Sequence, residues 1–307
     1  MQEKITRLSV LELFAGIGGC AAALGSAADI VAAVDIHVEA LAVYRANLQH
    51  PTYARTIESV PDRWLASCEA DLWWLSPPCQ PFTVRGRQRD VDDPRCQALL
   101  RIIDAIGVVR PRYIALENVP GFECSRAHAR LCSQLDRAGY NIRSKLLCPT
   151  ELGIPNRRRR YYLLAARDKL CDWPAVATAP EPFRMADILE CDVPAEYDVP
   201  AEQLVAYRGA LHRVDVTDRG AISNCFTAGY GRSMVRSGSY LQHGDRCRRF
   251  TPAEILRLLA FPDSFRFPTG ASPRTAWPLV GNSLSVAAVR HVLSAIPELA
   301  PCVAMMH

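Results

Sequence analysis

From Leu8 to Ala166, short apolar runs alternate with longer stretches in which apolar positions return every three or four residues. Leu8–Phe14, Ile30–Val34, Asp71–Leu75, Arg112–Leu116, Tyr140–Leu147 and Arg157–Ala166 read as strands. Cys20–Ala27, His37–Leu48, Arg95–Val109 and Ser125–Ala138 read as helices, the last opening on a serine cap. This alternation predicts an α/β fold around an open sheet. From Cys171 the character changes, and residues 173–215 carry many prolines, acids and short apolar pieces. Regular patterning returns with helices over Thr251–Ala260, which has a Thr-Pro-Ala-Glu start, and Leu284–Ile296. The expected organisation is a main domain over 1–172, a small irregular region over 173–247, and a segment 248–307 that returns to complete the main domain.

Polar residues collect where the strands end, and the carboxyl ends of strands are where open α/β sheets bind ligands. The first strand runs into Ala15-Gly16-Ile17-Gly18-Gly19, a turn that lets backbone approach a ligand closely. The second ends at Asp35, an acid able to accept from ribose hydroxyls. That spacing alone fits both a nucleotide-like cofactor and a purely structural turn. Thr56-Ile57-Glu58 lies so as to line the same crevice. The strand Asp71–Leu75 runs into Ser76-Pro77-Pro78-Cys79-Gln80-Pro81-Phe82-Thr83. There the prolines fix the backbone and remove amide donors, holding one thiol out at the strand tip. Glu117 ends the Arg112–Leu116 strand, so it faces the crevice rather than the core.

Val84–Pro94 is too polar for a core element and reads as a loop over the site. In the run Arg157–Arg160, strand alternation puts Asn156, Arg158 and Arg160 on one face, and Arg158 and Arg160 are the expected site arginines. Asn224–Thr227 and Gly229–Ser233 fit a structural turn and a substrate loop equally well. The second reading would make Thr227, Tyr230 and Arg232 nucleic-acid contacts, together with Arg85, Arg87 and Arg89 after the cysteine turn.

Composition narrows the setting more than the chemistry. The 307 residues are 49% hydrophobic with a net charge of +4, which permits a nucleic-acid partner without requiring one. Twelve cysteines without a Cys-x-x-Cys spacing argue against a zinc site and against a secreted disulfide framework. With no signal-peptide pattern and no apolar run of membrane-spanning length, a cytoplasmic protein that does not enter membranes is expected.

In chain order, Phe14-Ala15-Gly16-Ile17-Gly18-Gly19, Asp35, Pro77-Pro78-Cys79-Gln80, Glu117-Asn118-Val119, Arg158 with Arg160, and Gly281-Asn282-Ser283 resemble the cytosine-5 methyltransferases over nearly the whole chain. Ser76–Thr83, Gly86-Arg87-Gln88, Gly153-Ile154-Pro155-Asn156 and Cys225-Phe226-Thr227 look like the branch that methylates tRNA anticodon loops. The DNA enzymes usually carry Gln where Asn156 stands, and often an acid near Thr56 or Ile57. The implied fold is a doubly wound, mixed, mostly parallel sheet, Rossmann-like and S-adenosylmethionine-dependent, with a small target-recognition region.

The resemblance implies that Cys79 adds to C6 of a cytosine, Glu117 binds N3 and the exocyclic amine, and Arg158 and Arg160 hold the base carbonyl or a phosphate. It implies that Phe14, Ala15, Gly16, Ile17, Gly18 and Gly19 cradle S-adenosylmethionine, with Asn282 or Ser283 nearby. Asp35 would take the ribose, Ile36, Ile57 and Glu58 would border adenine, and Ser76 would floor the crevice. No metal is implied. The expected partner is a tRNA of the aspartate type, bound by a monomer, with weak affinity for DNA. The alternatives are a DNA cytosine-5 methyltransferase of restriction or solitary type, a catalytically silent nucleic-acid binder, and a nicotinamide-dependent dehydrogenase. The last rests on the first glycine turn alone.

Overall fold

A computed structural model of the chain describes residues 7–83, 89–175 and 184–301. Chain contacts divide it into two units. The first comprises the described residues up to Leu147, Arg159–Ala175, and those from Val289 onward. The second comprises Cys148–Arg158 and the described residues from 184 to Ala288.

The first unit is built on seven strands: β1 (Leu8–Leu13), β2 (Ala28–Asp35), β3 (Thr52–Ala54), β4 (Leu72–Leu75), β5 (Tyr113–Asn118), β6 (Asn141–Leu147) and, after a two-residue β7 (Asn156–Arg157) in the second unit, β8 (Arg160–Ala166). Their order is β3-β2-β1-β4-β5-β8-β6. β3, β2, β1, β4 and β5 run parallel, and β8 is antiparallel to both β5 and β6. The sheet is therefore mixed and mostly parallel, as expected. All four residues of β4 are buried, the uninterrupted apolar pattern of a strand covered on both faces. From β1 the chain winds outward to β2 and β3, then returns to β4 on the other side. The carboxyl ends of β1 and β4 are thus the switch point at which such sheets bind ligands.

Helices α1 (Gly19–Leu24), α2 (Val38–Asn47), α3 (Asp62–Ser67), α4 (Gln97–Val109) and α5 (Arg126–Arg137) connect these strands. α5 buries Ala127, Leu131 and Leu135, one stripe at four-residue spacing, and Ser125 Oγ accepts from His128 N at 3.0 Å. Such a cap contributes about 1 kcal/mol.

The second unit holds the parallel pair β7 and β10 (Ser223–Asn224) and a three-stranded sheet β12-β11-β9 of Arg246–Arg249, Tyr240–His243 and Arg213–Asp215. It also holds α6 (Ala201–Ala206), α7 (Pro252–Leu258) and α8 (Pro273–Asn282). Its centre is aromatic: Phe226, Tyr230, Phe250 and Trp277 meet edge to face, with Phe226 and Phe250 5.0 Å apart between centroids. The expected return to the main domain at 248 falls instead at Val289. The reason is local. Arg248 in β12 donates twice to Glu254 of α7, at 2.8 and 2.7 Å, and both side chains are buried. α7 packs on α8, so these helices belong with the aromatic centre, and α9 (Val286–Leu293) carries the chain back. Among the described residues, no helix is long and apolar enough to cross a membrane.

Candidate active site

The first unit brings Cys79 and Glu117 to neighbouring strand tips. β4 and β5 are in register with Leu75 beside Leu116, so Ser76 leaves the sheet beside Glu117. Cys79 opens a 3-10 turn, Gln80–Phe82, closed by Phe82 N donating to Cys79 O at 2.9 Å. Its thiol is half-buried. Two contacts strap this turn to the end of β5. Asn118 Nδ2 donates to Pro77 O at 3.2 Å, and the rings of Phe82 and Phe122 meet edge to face at 5.0 Å. Gly121 is required there, because a Cβ would sit 2.6 Å from Phe82 O.

Glu117 is held from the other side. Arg160, the first residue of β8, brings Nε to 3.2 Å from Glu117 Oε1, with side-chain exposures of 16% and 12%. Water is largely excluded, so the attraction is stronger than for a surface pair and the carboxylate has little freedom. A carboxyl group so fixed beside a half-buried thiol suits a reaction in which a ring gains and loses charge.

Arg158, expected beside Arg160, does something else. It lies in the second unit and is buried. Nη1 donates to Phe226 O at 3.0 Å, and Nη2 donates to Gly281 O at 3.2 Å and to Ser283 O. With its fork spent on three main-chain carbonyls, it binds its own unit together rather than offering donors to a substrate. Tyr230 is likewise corrected. It is 1% exposed, and its hydroxyl accepts from Phe250 N and donates to Ser239 O, so its ring cannot stack on a base. Thr227 is half-buried, its hydroxyl accepting from Gly229 N, with its backbone against Gly281. Arg232 and Arg89 are exposed. Arg85 and Arg87 lie outside the described residues, as does the first part, 84–88, of the expected loop over the site; the rest is described and includes the short 3-10 turn Asp90–Asp92.

At the end of β1 the backbone takes left-handed turns at Phe14, Gly16 and Gly18, with φ of 58°, 56° and 93°. A left-handed Phe is costly, and such strain gathers at functional sites. Nothing lies within 4 Å of the place a Cβ on Gly16 would take, whereas one on Gly18 would strike Leu48 and Tyr44. Gly16 thus leaves space and Gly18 closes packing. Asp35 accepts from Gly16 N at 2.7 Å and from His37 N at 2.8 Å, which orients its carboxylate and leaves lone pairs on both oxygens. Beside it, Ile36 is 62% exposed, with Val38 also exposed. An apolar shelf next to a carboxylate suits an adenine ring beside a ribose. Ile57 is buried and Glu58 exposed. Ser76 accepts from Trp74 Nε1 at 2.8 Å, and its amide reaches Leu13 O, tying the tips of β4 and β1. Asn282 is exposed and Ser283 half-buried, both in the second unit. Among the described residues, no group of three or more His, Cys, Asp or Glu is placed to hold a metal ion.

One residue beneath the glycine turn carried no clear sequence signal beyond its place in a strand. Glu12 is buried, accepting from Cys20 N and Tyr44 OH, each at 3.1 Å. Burial pushes its carboxyl up to about 8, against the hydrogen bonds that pull it down. The folded protein therefore keeps a proton that the unfolded chain releases from about pH 4.5 upward. The contribution of Glu12 to stability is full below that and falls as pH rises toward 8, by at most about 1.4 kcal/mol per pH unit. Denaturant unfolding from weakly acidic to mildly alkaline pH should show this slope, and Glu12→Gln should flatten it.

Comparison with known proteins gives the family. The family described as C-5 cytosine-specific DNA methylase matches residues 8–187 and 202–298. The chain is similar to the tRNA (cytosine(38)-C(5))-methyltransferase of Schizosaccharomyces pombe, at 34% identity over 95% of this chain and 97% of that one. It is similar to the enzyme of the same name from Homo sapiens, at 30% identity over 95% and 99%. The crystal structure of S. pombe Dnmt2 methyltransferase superposes with a TM-score of 0.86, at 32% identity, covering 96% of this chain and 99% of that one. That family generally uses S-adenosylmethionine as methyl donor. Strand tips, paired Glu117 and Arg160, glycine turn and family match all point one way, and the chain belongs to the C-5 cytosine-specific methylases and is a methyltransferase.

Proposed function

We propose that this protein methylates C5 of a cytosine in a tRNA anticodon loop, with S-adenosylmethionine as donor. The observation that carries the chemistry is the Glu117 carboxyl group pinned by Arg160 at the tip next to the Cys79 turn. The names borne by the similar enzymes of S. pombe and Homo sapiens carry the choice of tRNA over DNA.

C5 of cytosine is a poor nucleophile. Addition of the Cys79 thiolate to C6 makes C5 electron-rich, and a sulfur can leave again afterwards. Glu117 hydrogen-bonds N3 and the exocyclic amine and neutralises charge as it develops there, while Arg160 keeps the carboxyl group aimed. When bound, S-adenosylmethionine supplies an electrophilic methyl group. Loss of the C5 proton to a base, water included, then expels the cysteine. Phe14–Gly19, Asp35 and the shelf of Ile36 are the residues proposed to hold the donor, with Ile57, Glu58 and Ser76 bordering it. A loop cytosine suits this site because an unpaired base costs a few kcal/mol less to extract than a paired one. Exposed Arg89 and Arg232 are proposed phosphate contacts. A tRNA of the aspartate type, a monomeric enzyme and a cytoplasmic setting complete the reading.

The test is bisulfite sequencing of total tRNA and genomic DNA after incubation with the protein and S-adenosylmethionine. New 5-methylcytosine in an anticodon loop is expected, and marks confined to DNA would overturn the choice of substrate. Asp35→Ala should weaken S-adenosylmethionine binding about tenfold or more, because it removes a charge-assisted acceptor and unhooks the Gly16 amide. Titration calorimetry without RNA reads that directly.

A further inference from the structure

We propose that Asp93 and Arg95 keep Cys79 reactive, Asp93 clamping the Arg95 guanidinium near the Cys79 turn so that a fixed positive charge favours the thiolate. The proposal rests on the thiolate chemistry above, but its test needs neither RNA nor donor.

The geometry is local to the first unit. Pro94–Cys96 forms a 3-10 turn that packs against Gln80–Phe82, the turn opened by Cys79. Asp93 caps it. Oδ1 accepts from Arg95 N at 3.0 Å and from Nε at 2.9 Å, and Oδ2 accepts from Nη2 at 2.7 Å. Asp93 is only 4% exposed, whereas Arg95 lies at the surface. An acid sunk into the structure thus holds a solvent-facing arginine in one orientation, which a surface arginine rarely keeps alone. Arg95 in turn holds the Asp93 carboxyl down at about 2, so the clamp stays charged throughout the working pH range.

The charge has a target. Arg95 is raised above its ordinary value first by its bond to Asp93 and, among lesser causes, by the negative charge of Cys79. The attraction is mutual, so the guanidinium stabilises the sulfur once its proton has passed to solvent. Among the described residues, the acids around the turn are matched. Asp90 accepts from Arg126 N and Ala127 N at the start of α5, Asp92 pairs with Arg126, and Glu117 pairs with Arg160. Arg89 adds a further exposed positive charge. Burial pushes Cys68, Cys96 and Cys132 up, Cys96 to about 11.

The experiment follows alkylation of Cys79 by iodoacetamide across the thiol titration range, scored on its peptide by mass spectrometry. In Arg95→Gln the midpoint should move to higher pH, and the rate at neutral pH should fall about threefold or more. Arg95→Lys should lie between the two. Asp93→Asn should shift the midpoint in the same direction by releasing the guanidinium. Asp93 is buried and its variant risks misfolding, so the exposed Arg95→Gln decides the matter. A midpoint unchanged in Arg95→Gln overturns the proposal, even if tRNA affinity falls. A failure of the tRNA assignment would leave the alkylation profiles as predicted.

Discussion

Cys79→Ala should cut methyl transfer to tRNA by about 10⁴-fold or more while the protein still folds and binds S-adenosylmethionine. The loss is large because the sulfur does more than assist. Without addition at C6, C5 never becomes nucleophilic, and orientation by Glu117 and Arg160 has nothing to act on. The fold should be indifferent to the change. The thiol is half-buried, and the contacts that shape its turn are made by other groups: the Phe82 amide on a main-chain carbonyl, Asn118 on Pro77 O, and Phe82 on Phe122. Initial rates with bisulfite read-out, a thermal melt and calorimetry with the donor separate the three properties. Turnover within tenfold of the parent would remove the covalent mechanism. Loss of donor binding along with turnover would mean that the turn itself had collapsed.

The strand tips were legible because their signals are local. A strand that runs into two prolines must turn, and a polar residue after a buried run must sit at its end, so Cys79 and Glu117 could be placed without tertiary information. The rest of the sheet was legible for the same reason, apart from its edge strand β3, whose three residues are too few to show a pattern. What failed were inferences carried across a change of element. Strand parity put Arg158 with Arg160, but β8 begins only at Arg160. Asn156 and Arg157 pair with β10 in a separate two-stranded sheet, so alternation does not pass through Arg158. Gly229-Tyr230-Gly231 read equally well as a substrate loop because glycine beside an aromatic suggests exposure. Here the glycines make room for rings: a Cβ on Gly231 would strike Trp277, and one on Gly238 would strike Phe226 and Tyr230. α8 was hidden because Pro278 and Gly281 stand inside it, and it persists through packing on the aromatic centre rather than through propensity. The Asp93–Arg95 clamp has a sequence signal, an acid two residues before an arginine after a polar stretch. That spacing is common, and only burial of the acid distinguishes it.

The two arginines bracketing Arg159 should therefore part company when each is replaced. Arg158→Ala leaves the carbonyls of Phe226, Gly281 and Ser283 without their donor inside the second unit, and opens a hole where a guanidinium was. Each lost bond to a charged donor is worth about 1.5–3 kcal/mol, and some are recovered by water, so a net cost of about 3–5 kcal/mol is expected. That is a large share of the stability of an ordinary domain. Activity should fall in step with the folded fraction, and any protein that remains folded should turn over at close to the parental rate. Arg160→Ala should reverse the pattern. Its partner Glu117 sits at a strand tip where water can enter once the guanidinium is gone, so the structural cost should stay near 1–2 kcal/mol after that screening is allowed for. The turnover number should nevertheless drop about 10²-fold or more, because Glu117 would no longer be held against the ring. Urea unfolding followed by circular dichroism, beside kcat measured well below the melting temperature, distinguishes the two. An Arg158→Ala protein as stable as the parent but inactive would return that residue to the chemistry. An Arg160→Ala protein with normal kcat would take Arg160 out of it.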